Sequence, residues 1–155
     1  MKRSSIPALI AVGVFAAVAM WILTKFFYSY MPTVPASVAM TLWLLAAVVG
    51  FAAIRVRQRV EEDAVGQDRS QLNPVTAAKL LVVAKASAWT GALFGGAYIG
   101  RAFYVLPKAQ ELVAAGEDAP LVVAAALGGV AVSAAGVWLE RACSVPPPPQ
   151  GETVR

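Results

Sequence analysis

Residues 73–106 read NPVTAAKLLVVAKASAWTGALFGGAYIGRAFYVL, and between Leu80 and Leu106 only Lys85 and Arg101 are charged. A helix crossing the ~30 Å hydrocarbon core of a bilayer needs about 20 predominantly apolar residues, and this run exceeds that length. Lipid offers no hydrogen bonds, so a spanning segment must satisfy its own backbone as a helix or close into a barrel. Barrel strands alternate in polarity, whereas this stretch is continuous and alanine-rich. Asn73 as a cap and Pro74 at the first helical position mark where the helix begins. It is therefore read as a transmembrane helix over 75–106.

Three further runs have the same character, and the predicted helices are 6–28, 34–54, 75–106 and 119–139. The composition agrees: of 155 residues, 59% are apolar and 14% charged, against about 25% charged in a soluble domain. A soluble chain this short could not bury so much apolar surface. The fold class expected is all-α, a membrane-embedded antiparallel bundle of four helices. Residues 1–141 form the transmembrane domain and 142–155 a disordered, Pro-rich tail containing Pro146 to Pro149.

Lys2 and Arg3 before an apolar run also open secretory leaders. This run continues through Trp21 to Phe27, past the roughly 7–15 apolar residues of a leader, so a retained helix is expected. The connection from Tyr30 to Pro35 is a short Pro-rich turn, which predicts that helices one and two pack as a hairpin. The second connection, from Arg55 to Asn73, is the longest polar stretch and is expected to be half helical. Pro107 is expected to bend the chain into a short external interfacial helix over 108–115, carrying Leu112 and Val113 and closed by Gly116 as a C-cap.

Orientation follows from the basic residues, which are disfavoured in translocated loops. Lys2, Arg3, Arg55, Arg57, Arg59, Arg69, Lys79 and Arg141 fall on one side, and Lys25, Arg101 and Lys108 toward the other. The first side, with both termini, is expected to be cytoplasmic and the protein a multi-pass protein of the cell membrane. Phe26, Phe27, Tyr28, Tyr30, Phe103 and Tyr104 then form an aromatic belt at the outer interface.

The net charge of +4 is spread over helix ends with no basic stripe among stacking aromatics, so nucleic acid is not an expected partner. The chain has no histidine and one cysteine, which removes the commonest metal ligand and general base and any intrachain disulfide. Ser87 and Ser133 lack a neighbouring base, and Cys143 beside an interface is read as inert. No catalytic, cofactor-binding or metal-ligating residue is assigned.

Two features stand out from apolar filler. Small residues recur at helical spacing: Ala88, Ala92, Gly96 and Gly100 in the third helix, and Ala125, Gly129, Ser133 and Gly136 in the fourth. In lipid such faces let backbones approach closely, so they are read as a helix-packing face, with a homodimer seam as the alternative. Lys85 lies about 9 Å beyond Lys79 along the helix, where lysines commonly snorkel back to the interface. Its stripe, shared with Trp89, Ala92 and Gly96, faces protein, and Arg101 projects to the opposite side with Phe94. Glu140 shares a stripe with Gly136, Ser133 and Gly129, so Lys85 and Glu140 are expected to form an intramembrane ion pair.

Asn73-Pro74 through Lys79, Val82 to Trp89, Gly91-Ala92, Tyr104 to Pro107 and Trp138 to Arg141 together carry a resemblance. On them the chain resembles an uncharacterised family of actinobacterial membrane proteins, domain of unknown function 3180. The resemblance implies a four-helix plasma-membrane protein and brings no activity, cofactor or catalytic residue. Members are often encoded beside folate-biosynthesis genes. The function expected is that of a structural or accessory component acting through helix–helix contacts, with the bilayer, itself or a larger membrane complex as partner. A small-solute transporter or channel component is the alternative. The absence of any Asp or Glu within the four apolar runs weakens the transporter reading, and a membrane-embedded enzyme is disfavoured by the lack of histidine and of paired in-membrane carboxylates.

Overall fold

The computed structural model describes residues 4–63 and 74–143. Four helices follow one another: α1 (Ile6–Phe27), α2 (Ala36–Asp63), α3 (Pro74–Lys108) and α4 (Val113–Cys143), with a 3-10 turn at Tyr28–Tyr30. Each is long and apolar enough to cross a membrane. The sequence places the helices correctly in number and order; Asn73 and the tail beyond Cys143 lie outside the described residues.

The neighbours differ from the expected hairpin. The packed pairs are α1 with α3, α3 with α4, and α4 with α2; among the described residues α1 and α2 do not run along each other. The row order is therefore α1–α3–α4–α2. Gly13 faces Gly96 and Ala17 faces Gly100, so α1 and α3 run parallel. Gly91 meets Ser133 and Gly95 meets Gly129, so α3 and α4 are antiparallel. Val34 packs against Val122, and Val49, Ala53 and Val56 against Leu139, so α2 runs parallel to α4.

The hairpin expectation fails because loop length sets a maximum reach, not a neighbour. Residues 28–35, part 3-10 turn and part extended, can reach on the order of 20 Å. Neighbouring helix axes lie about 8–10 Å apart, so this segment can cross over the ends of α3 and α4 and deliver α2 to the far side. It does so in contact with both: Tyr28 packs at a tilt against Tyr104, ring centroids 5.3 Å and ring planes 51° apart, and Val34 joins Ala102 of α3 and Val122 of α4 in a small apolar core.

No separate interfacial helix occupies 108–115. Lys108 ends α3, a turn follows, and Val113 already begins α4. Pro107 sits in the last turn of α3, where it removes the amide bond to the Phe103 carbonyl and its ring crowds that carbonyl, and the helix ends one residue later at Lys108. Gly116 is inside α4 and has no positive φ, so it is not a left-handed cap. The earlier start also puts Asp118 and Pro120 within α4. At the opposite end of the bundle, α2 continues as helix to Asp63. There Val49, Ala53 and Val56 form a second apolar core with Ala84 and Leu139.

Candidate functional site

Each of the two central helices carries small residues toward two neighbours. On α3, Ala84, Ala88, Gly91 and Gly95 turn to α4, whereas Ala92, Gly96 and Gly100 turn to α1. On α4, Gly129, Ser133 and Gly136 meet α3, and Gly128 meets Leu42 and Trp43 of α2. Ala125 is fully buried. The small-residue face read from sequence thus divides between partners, and each glycine doublet supplies one glycine per seam. Successive residues are 100° apart on a helix, which lets Gly95-Gly96 and Gly128-Gly129 serve both sides at one level.

The contacts leave no room for a methyl group. A Cβ on Gly129 would lie 2.5 Å from the Cα of Gly95, and one on Gly136 2.5 Å from the amide nitrogen of Ala88. A Cβ on Gly96 would collide with the carbonyl of Gly13. Two hydrogen bonds reinforce the α4 seams: Ser133 Oγ donates to the Ala88 carbonyl at 3.0 Å, and Trp43 Nε1 donates to the Ala124 carbonyl at 3.1 Å. Such interhelical bonds contribute about 0.6 kcal/mol each in membrane proteins. Trp89 stays partly exposed.

The structure brings Lys85 and Glu140 together. Lys85 Nζ stands 3.9 Å from Glu140 Oε1, with the lysine side chain 30% exposed and the glutamate 5%. The same oxygen accepts the backbone amide of Ser4 at 2.7 Å. Glu140 therefore ties the start of α1 and the first third of α3 to the end of α4.

The tightest ionic contact lies at the other end and joins residues the sequence reading kept apart. Arg101 does not point away from the bundle: it is 6% exposed, and its Nη2 donates to Asp118 Oδ2 at 2.6 Å and to the Pro32 carbonyl at 3.0 Å. Asp118 Oδ1 accepts the Val34 amide at 2.7 Å. A helical projection shows only where a Cβ leaves its own helix. Here the 28–35 crossover lies over the guanidinium and covers it. The available signal was two opposite charges near the same ends of adjacent antiparallel helices.

The aromatic residues expected at that end are there: Phe26, Phe27, Tyr30 and Phe103 are exposed around it. Lys108 lies over the Tyr104 ring at 4.9 Å and Lys25 over Trp21 at 5.6 Å, arrangements suited to an interface.

A groove of about 610 Å³ opens between α1 and α4. Its walls run from Ile6 to Ala17 on α1 and from Val130 to Arg141 on α4, and its floor on α3 includes Ala92, Gly96 and Ile99. It exists because the small residues of α3 seat α1 on one flank and α4 on the other without bringing those two helices together along their length.

No curated protein and no solved structure matches the chain. Residues 9–147, spanning all four helices, match the model of a family described as a protein of unknown function (DUF3180), and the chain belongs to that family.

Proposed function

We propose that the chain is a non-enzymatic structural or accessory component of the plasma membrane, working through helix–helix contact with itself or a larger complex. The observation that carries this reading is the closure of all three helix seams near mid-span. Gly13 against Gly96, Gly95 against Gly129, and Gly128 against Leu42 and Trp43 are each in backbone or side-chain contact. A solute path through one copy would have to open one of these seams. Meanwhile the outer faces of α1 and α2 carry exposed Phe15, Val18, Ile22, Met40, Leu44 and Val48, apolar surface on which a membrane complex can be built.

The same reading puts the Ser4 and Glu140 end in the cytoplasm. Arg55, Arg57, Arg59, Lys79 and Arg141 belong to that end of their helices, and Lys25 and Lys108 to the other, a bias that the positive-inside rule supports. Purification of the tagged chain from its native host in mild detergent tests the proposal. A complex of constant stoichiometry is the expected result. A chain that purifies alone, and whose deletion changes uptake of a specific solute, overturns it in favour of a carrier.

A further inference from the structure

We propose that the cavity between the 28–35 crossover and the start of α4 binds one phosphodiester group, held by Arg101 and the first amides of α4. The cavity is about 350 Å³, with Tyr28 and Ser29 of the crossover on one side, Val113 and Ala114 on the other, and the buried Arg101 and Asp118 at its base. Ligand clefts usually span about 300–1,000 Å³. This one has room for a headgroup and not for a whole lipid.

The guanidinium calls for an oxygen ligand. Both of its hydrogen bonds among the described residues leave from Nη2, to Asp118 and to the Pro32 carbonyl. Nε is buried and bonds to no described group, and an unmet donor on a buried cation is more costly than one on a neutral group. Asp118 does not answer it, since Oδ2 is engaged by Nη2 and Oδ1 by the Val34 amide. Nε is also closed to water, under a crossover pinned to the same guanidinium through Pro32. An oxygen reaches it as that segment gives way, and a group with two oxygens can replace Pro32 and partner Nε together, the paired recognition that suits arginine.

The start of α4 is an independent reason to expect an anion. Val113 and Ala114 open a helix of 31 residues, so their amides have no carbonyl of that helix to bond, and the positive end of its dipole lies at the cavity. The neighbouring acids Glu111 and Glu117 do not line it. Asp118 already neutralises Arg101, so the site suits a single negative charge, which a phosphodiester carries. Phe26, Phe27, Tyr30 and Phe103 stand exposed at this end, which sets the cavity at headgroup depth. A lipid headgroup and a dissolved phosphodiester share the required chemistry.

Two measurements on the full chain in detergent test the site and separate the sources. Native mass spectrometry with equimolar phosphatidylglycerol and diacylglycerol of the same acyl chains reads the lipid. Thermal unfolding with dimethyl phosphate, against neutral trimethyl phosphate, reads the dissolved group. A preference for phosphatidylglycerol of about tenfold, the scale of one hydrogen bond to a charged group, assigns the lipid; a melting temperature raised by dimethyl phosphate alone assigns the dissolved group. Either response is expected to be lost in Ala114→Trp, which fills the cavity from its exposed wall, and in Arg101→Lys, which keeps a charge opposite Asp118 but has no Nε. Val113→Pro, which deletes one first-turn amide where helices accept proline, weakens it and Val113→Ala does not. No phosphate-dependent response in either measurement, or one that both Ala114→Trp and Arg101→Lys leave intact, overturns the site and leaves the cavity to water.

Discussion

Asp118 holds Arg101 with one carboxylate oxygen and the backbone of Val34 with the other, at 2.6 and 2.7 Å. Through that one side chain α3, α4 and the 28–35 crossover are fastened at a single point. Arg101 and Asp118 are almost fully buried, at 8% and 1% side-chain exposure, so neither charge is relieved by water if the other is removed.

Asp118→Asn should accordingly be severe, lowering unfolding free energy by about 3–5 kcal/mol, because the guanidinium is left buried without a counter-charge. Combining it with Arg101→Met should recover part of that loss, since no charge then remains and the Asn carbonyl can still accept from Val34. Thermal unfolding in detergent of the two single variants and the double variant measures this. Additive losses would contradict the pairing.

Glycine substitutions should divide by location. Gly129→Ala places a methyl 2.5 Å from the Gly95 backbone and should force α3 and α4 apart, at a loss in the range of about 1–3 kcal/mol for overpacking. Gly50→Ala meets nothing within 4 Å and should be neutral or stabilising by up to about 1 kcal/mol. The same melts compare them, and equal effects would argue against close seams.

At the Ser4 end, the 3.9 Å contact and the partly exposed lysine predict a weaker coupling, on the order of 1 kcal/mol. Lys85→Met should be tolerated better when Glu140 is also Gln. Lys85→Met alone should cost more than Glu140→Gln alone, because it strands a carboxylate that is only 5% exposed, whereas Glu140→Gln leaves a lysine that is 30% exposed and a Gln carbonyl that still accepts the Ser4 amide. A double-mutant cycle that closes to zero would reduce the pair to coincidence.

The four spans were legible because run length and continuity are dictated by lipid, whatever the helices pack against. The juxtaposition of Lys85 with Glu140 could be anticipated for a related reason. Each lies on a small-residue stripe, and small residues in lipid mark where helices meet. Arg101 and Asp118 could not be paired this way. Asp118 follows Gly116 and precedes Pro120, the local chemistry of a connection, and only the tertiary fold makes it part of α4. Nor does sequence spacing say which neighbour a stripe serves. Ala88 and Gly96 sit on one ladder in sequence yet meet different helices, since α3 is flanked on both sides.

The row order α1–α3–α4–α2 underlies every contact described, and proximity cross-linking tests it most directly. In a Cys143→Ala background, Tyr28→Cys with Tyr104→Cys should link efficiently through a short thiol-reactive reagent, as ring centroids only 5.3 Å apart require. Val14→Cys with Leu44→Cys, which joins α1 to α2, should not link. A strong α1–α2 link with a weak α1–α3 link would restore the hairpin and contradict the crossover.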